Sequence, residues 1–201
     1  TLNAVFNVAE PEGLPENLWQ VSTAPADAPP LDLRPILPDT PAVDGLLRGI
    51  YTELDSVLSR HPANAVAVYV KQMVAGGNRL LCLSQRGQPL PAVWSIQPQD
   101  EQQPLLSRVA HTAWATVIDD APQWLAWGDL VAEDRVLGAS QLVLPMVDEQ
   151  GRLTGVLAVG DARPRAWSAE EQCWWVAAAL SLGQALSQAL PPDWWPPQEA
   201  V

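Results

Sequence analysis

The sequence predicts an α+β domain, a central antiparallel sheet of five or six strands with helices on both faces. Three observations carry that reading. Apolar or β-branched runs with strand character recur at residues 65–71, 79–85, 141–147 and 153–160. Stripes of apolar residues three or four apart recur at 43–58, 105–113 and 175–190. Short stretches bearing glycine or proline separate the two kinds of segment.

Residues 1–41 hold eight prolines among Ala, Asp and Glu, a composition that favours extended, loosely packed chain over helix. Two apolar islands interrupt it, Val5-Phe6-Asn7-Val8 and Leu18-Trp19-Gln20-Val21. Each can dock on the domain or add a short edge strand, although a linker is the simpler reading. The domain proper is expected over residues 42–190. Val43, Leu46, Leu47, Ile50, Leu54, Val57 and Leu58 line one face of an amphipathic helix that ends before His61-Pro62. Two strands follow around Gly76-Gly77-Asn78, and residues 93–96 are then either a short strand or a loop that inserts Trp94. Pro104, near a first turn where its missing N–H is harmless, opens a helix expected to run to about Trp114. Residues 116–120 read as a short central strand ending in Asp119 and Asp120. Residues 121–139 lack strong periodicity and read as an irregular connection, a kind of segment that is usually functional or mobile.

The clearest stretch is 139–190. Leu142, Leu144 and Met146 alternate with Gln141, Val143 and Pro145, predicting a strand with one face in the core. Residues 148–152, with Gly151 free to take positive φ, lead into a returning strand over 153–160, so the pair is a hairpin. Ser168 and Glu171 have the spacing of a capping box. They start a helix whose buried stripe is Trp175, Ala179, Leu182, Leu186 and Leu190, and Pro191-Pro192 ends it. Residues 191–201 are a Pro/Trp-rich tail in which Trp194 and Trp195 either anchor a partner or fold back on the domain.

Composition narrows the function. The formal charge is −12 and no basic cluster occurs, so the attraction that drives nucleic-acid or anionic-membrane binding is missing. Neither partner is expected. No apolar run of about 18 residues is present, and Cys82 and Cys173, in a strand and a helix, suit two buried thiols in a reducing compartment. A cytoplasmic protein is expected.

Three segments carry a family resemblance: Ser140-Gln-Leu-Val-Leu-Pro-Met146, Gly151-Arg-Leu-Thr-Gly-Val-Leu157 and Pro164-Arg-Ala-Trp-Ser-Ala-Glu-Glu171. They resemble the last two strands and closing helix of GAF domains, whose form is Ser-x-Leu-x-Val-Pro-Leu, Gly-x-Leu-x-Gly-Val-Leu and Pro-x-x-Phe-Ser-x-x-Glu. The resemblance implies a GAF/PAS-like arrangement, with paired terminal helices on one face and a pocket-forming helix and loops on the other. It also implies a homodimer through the terminal helices, and a sensory or regulatory domain reporting a small-molecule effector to an output module or protein partner outside this chain. Residues 121–139 would then cover the ligand cavity.

On that basis the candidate ligand-binding residues are Trp94, His111, Trp114, Asp119, Trp124, Trp127, Asp134 and Arg135, with Asp120 beside them. Indoles stack on flat rings while carboxylates bond ring edges, which suits a purine, a tetrapyrrole or a small aromatic effector. The alternative is a ligand-free dimerisation or scaffolding module whose tryptophans fill the cavity themselves. Arg135 pairs either with an anionic ligand or with Asp134, Glu133 or Asp129. The residues identify no cofactor. No Cys flanks His111, which disfavours covalent bilin attachment; the cyclic-nucleotide Asn-Lys-x-Phe-Asp-Glu set has no counterpart; and neither Cys lies in a loop suited to methionine-sulfoxide reduction. No His/Cys/carboxylate cluster has metal-ligand spacing and no phosphate loop is present. No enzyme is expected.

Overall fold

The computed structural model describes residues 17–75, 77–96 and 103–195. Two short strands, β1 (Gln20–Val21) and β2 (Leu31–Asp32), pair with each other ahead of helix α1 (Pro41–Leu58). Strands β3 (Ala65–Val74), β4 (Gly77–Gly87) and β5 (Val93–Ile96) follow, then α2 (Leu105–Thr112), β6 (Thr116–Ile118) and α3 (Ala121–Trp127). A 3-10 helix (Ala132–Leu137), strands β7 (Ser140–Val147) and β8 (Leu153–Asp161) and helix α4 (Ala169–Ala189) complete the domain. β3 to β8 form one antiparallel sheet in the order β5-β4-β3-β8-β7-β6.

Local chemistry sets the boundaries. Thr40 accepts from the Val43 amide at 3.3 Å, with Pro41 in the first turn of α1, and the expected stripe is buried from Val43 to Val57. The capping box at α4 is complete: Glu171 N–H donates to Ser168 Oγ at 3.2 Å and Ser168 N–H donates to Glu171 Oε2 at 2.9 Å. Gly151 turns the β7–β8 hairpin with φ 75°, and the buried Asp148 carboxylate accepts from the Gln150 and Arg152 amides there. α4 lies against α1 and crosses β7 and β8, where Gly183 approaches so closely that a Cβ would stand 2.3 Å from the Val147 carbonyl oxygen. α2 packs on β5, β7 and β8 from the opposite side.

Several expectations are corrected. β7 buries Ser140 to Leu144 without interruption, rather than one face only, because helices cover both sides of the sheet at that point. Residues 121–139 contain regular structure: Asp120 Oδ1 accepts from the Gln123 amide at 3.1 Å and starts α3, while Gly128 at φ 85° stops it after two turns. α2 ends at Thr112 instead of Trp114, because Ala113 turns left-handed at φ 56°. β6 stops at Ile118, leaving Asp119 and Asp120 outside the strand.

The leader is not loose over residues 17–40. Val21, Leu33 and Leu37 are buried, the Trp19 indole donates to Asp44 at 3.4 Å, and the Ala24 amide donates to the Leu90 carbonyl. Apolar anchors at wide spacing outweigh the extended bias of the prolines between them. The Val5-Phe6-Asn7-Val8 island lies outside the described residues. Trp194 and Trp195 fold back on the domain and are buried, with the Arg152 guanidinium over the Trp195 ring at 5.5 Å. Cys82 is buried as expected; Cys173 is exposed, because it occupies the outer side of α4.

Candidate functional site

α2 is the element around which the candidate site is built. Its N-cap is Pro104, which offers no side-chain acceptor, so the first amides need one from elsewhere. Asp134 supplies it from the 3-10 helix. Leu105 N–H donates to Asp134 Oδ1 at 2.7 Å and Val131 N–H donates to Oδ2 at 3.0 Å. This carboxylate is fully buried, and burial pushes its pKa up against the two amides and the nearby Arg108, which favour the charged form. At the other end, Lys71 Nζ on β3 donates to the Ala110 carbonyl at 3.2 Å, and partial burial lowers the lysine's pKa.

A negative group at the N-terminus and a positive one at the C-terminus both complement the helix dipole. Arg108 Nη2 donates to the Asp129 carbonyl at 2.9 Å, and Gln141 Nε2 donates to the Asp134 and Gly138 carbonyls at 2.7 and 3.0 Å. α2 and residues 129–138 are therefore tied into one unit. Beneath it Leu105, Leu106, Val109 and Ala110 are seated on the sheet, all buried.

Beside that unit lies an open depression of about 490 Å³ lined by Ala121, Pro122, Leu125, Ala126, Arg135, Gly138 and Ala139. Ala121 N–H donates to the Ala139 carbonyl at 2.7 Å and brings α3 against the start of β7. The floor is apolar. Arg135 is exposed at the rim, and among the described residues its side chain makes no ion pair.

The predicted site residues separate into distinct surroundings. Asp134 and Arg135 are neighbours, but one carboxylate turns inward and the other group outward. Trp124 is half-buried on α3, whereas Trp127 is 64% exposed and Trp114, thrown outward by the turn at Ala113, is 78% exposed. His111 is exposed on the last turn of α2. Asp119 is exposed, and its carbonyl accepts from the Arg165 amide. Trp94 is buried on β5, at the sheet edge opposite β6, five strand spacings or roughly 24 Å away. The eight residues do not converge on one enclosed cavity.

Sequence reasoning passed over Lys71, Arg108 and Gln141, which tie α2 down. One signal was present: Lys71 is the single lysine of the chain and follows an apolar strand run. Among the described residues no group of three or more His, Cys, Asp or Glu is placed to hold a metal, and no helix is long and apolar enough to cross a membrane. Cys82 is enclosed in β4, and burial pushes its thiol up to about 12.

Comparison with known proteins adds the family. A model of the GAF domain matches residues 50–186. No curated protein matches the chain in sequence. Among solved structures, the GAF domain of an Acinetobacter phosphoenolpyruvate-protein phosphotransferase is similar with a TM-score of 0.53 and 16% identity, over 75% of this chain and 95% of that one. A type II free methionine-R-sulfoxide reductase from Thermoplasma acidophilum is similar at 0.57 and 13%, over 74% and 96%. A far-red cyanobacteriochrome photoreceptor is similar at 0.54 and 15%, over 72% and 87%. At such identities these likenesses speak for the fold, which carries regulatory domains, photoreceptors and enzymes alike.

Proposed function

The chain belongs to the GAF domain family, and from that premise we propose that this sensory or regulatory domain takes its input on the α2 side and delivers it through the terminal helices α1 and α4. The effector is a small molecule with an apolar body and an anionic group. It seats in the depression beside α3, with Arg135 meeting the anion and the apolar residues of α3 meeting the body. The observation that carries this is the pairing of an apolar floor with an exposed guanidinium that has no ion-pair partner among the described residues.

Binding there presses on residues 129–138, which are bonded to α2 through Asp134 and Arg108. The effector can shift the packing of α1 and α4 only as far as it binds the two arrangements differently. The output is a homodimer through the terminal helices, read by a module or partner outside this chain, in the cytoplasm. The domain is not an enzyme in this reading: the Cys82 thiol is buried, and Cys173 lies on α4, across the sheet from the depression.

A thermal-shift screen of small aromatic acids, cyclic nucleotides, haem and bilins, with tryptophan fluorescence recorded alongside, tests the proposal. An anionic aromatic acid is expected to raise Tm with concentration and to quench tryptophan, since a ligand of the native state stabilises it by mass action. A screen without hits favours the second reading, a ligand-free dimerisation or scaffolding module. The four apolar residues of α2 seated on the sheet support that alternative.

A further inference from the structure

Residues 90–92, between β4 and β5, are bonded at every backbone polar group they have. Leu90 N–H donates to Gln85 Oε1 at 2.9 Å, the Leu90 carbonyl accepts from the Ala24 amide at 3.1 Å, and Ala92 N–H donates to Thr23 Oγ1 at 3.2 Å. The Ala92 carbonyl accepts from the Cys82 amide at 2.8 Å, and the Pro91 carbonyl accepts from the Tyr69 hydroxyl, also at 2.8 Å. Proline has no amide hydrogen to place. Gln85 adds a second tie to the leader, its Nε2 donating to the Ser22 carbonyl. The connection is thus a node at which β3, β4 and the leader meet.

Tyr69 brings the α2 side of the sheet to this node. Gly160 faces the 3-10 helix, since a Cβ there would stand 1.6 Å from the Leu137 carbonyl oxygen. Ala65 pairs with Gly160, and β3 keeps register with β8 as far as Val70, so Ala65, Ala67, Tyr69 and Lys71 share that face. Lys71 holds the Ala110 carbonyl at the end of α2. Tyr69, two residues before it, is fully buried and holds Pro91. The leader runs from the node to the other side. Gln20 and Val21 pair with Asp32 and Leu31, Leu33 N–H donates to the Trp19 carbonyl at 2.8 Å, and Leu33 and Leu37 are buried. The Trp19 indole meets the Asp44 carboxylate in the first turn of α1, and Thr40, where the leader ends, caps that helix.

We propose that the leader is a coupling arm, in which residues 19–24 and 31–40 carry displacements of Tyr69 and the 90–92 connection to the first turn of α1. The arm joins the input side and the output helices of the proposed function, on which it rests, and supplies the route between them. A buried group that loses its partner costs more than the bond itself contributes. A shift of β3 under α2 therefore draws the Pro91 carbonyl with the Tyr69 hydroxyl, and Thr23 and Ala24 follow the node instead of parting from it. From there the pairing of β1 with β2 and the Trp19 indole pass the displacement to Asp44 and Thr40.

Native-state amide exchange on the full chain tests the arm without an effector, comparing the wild type with Tyr69→Phe, Thr23→Val and the two combined. Each substitution removes a hydroxyl and keeps the shape of the side chain, and circular dichroism checks that all four proteins are folded. In Tyr69→Phe the Ala24 amide and the Val43 and Asp44 amides, both bonded to Thr40, should exchange at least several-fold faster, while the amides of β8 keep their protection. Thr23→Val should quicken Val43 and Asp44 in the same way. Because the two hydroxyls lie in series, the double variant should exchange there no faster than the faster single one. Val43 and Asp44 unmoved by Tyr69→Phe, β8 quickened by the same factor, or two effects that multiply in the double variant would each overturn the arm. Such a result leaves the effector site standing, whereas a ligand screen without hits removes the sensing reading and leaves the coupling measured here intact.

Discussion

α2 and α4 cover opposite faces of one sheet, and they are held there by different means. α4 starts at a local capping box, spans 21 residues and buries Trp175, Ala178, Ala179, Leu182, Gly183 and Leu186. Its start is held by bonds within six residues in sequence and its length by apolar contact, with a single long-range bond from Thr154 Oγ1 to the Gly183 carbonyl at 3.4 Å among the described residues. α2 has eight residues and no side-chain cap of its own, and its ends rest on Asp134 and Lys71, 29 and 39 residues distant from their bonded partners. An element held by packing resists small perturbations, because a core is close-packed and does not deform gradually. An element held by a few desolvated charges responds when one of them is engaged or neutralised. In the proposed function the α2 side therefore senses and the α4 side transmits.

The comparison breaks first at the packed side. Trp175 is fully buried, and Trp175→Ala should cost about 3–5 kcal/mol, seen as a large drop in the urea midpoint. Asp134→Ala should cost less, about 1–3 kcal/mol, because it strands the Leu105 and Val131 amides while also removing a buried charge. Its distinguishing sign is local: loss of helicity and exposure near α2, with the α4 contacts kept. Lys71→Met should cost about 1 kcal/mol or less, since its hydrocarbon still covers the strand and only the contact with the helix C-terminus is lost.

The smallest effect should sharpen the contrast by its sign. Burial raises the pKa of Asp134, so the folded state holds that proton more tightly than the unfolded chain. Relative to Asp134→Asn, the wild type should gain stability as pH falls through the interval between the raised value and the ordinary carboxylate value. Glu171 behaves oppositely. Burial pulls its pKa up, but the Ser168 amide and hydroxyl and the Arg165 guanidinium outweigh this and hold it below the usual range. Its contribution is complete above the ordinary carboxylate value and lost as pH falls through the lowered one, so acid should erode the difference between the wild type and Glu171→Gln. Urea titrations across pH 3 to 7 on the three proteins read both slopes.

The fold could be read from the sequence where the cause was local. The capping pair Ser168 and Glu171, the turn at Gly151 and the stripes from Val43 to Val57 and from Trp175 to Leu190 stand within a few residues of what they determine. The two helical turns of α3 were missed because alanines and tryptophans without polar alternation give no period. The packing of Leu33 and Leu37 was missed because prolines dominate the segment around them. At the site, residue type pointed to Asp134 and Arg135 alike, while only the three-dimensional arrangement separates a buried helix anchor from an exposed cation. Lys71 meets α2 across 39 residues of chain, a distance over which no spacing rule operates. Cys173 was expected to be buried, whereas it lies on the side of α4 away from the helical stripe that faces the core and is exposed.

Native-state amide hydrogen exchange on the wild type and on Asp134→Asn tests most directly that α2 and residues 129–138 form one unit held by that carboxylate. The account predicts that α2 and residues 129–138 open together in the wild type. In the variant both should exchange faster by the same factor, about tenfold if 1.4 kcal/mol of anchoring is lost, while α4 keeps its protection. Exchange in α2 that is unchanged by the substitution, or that rises equally in α4, would contradict it.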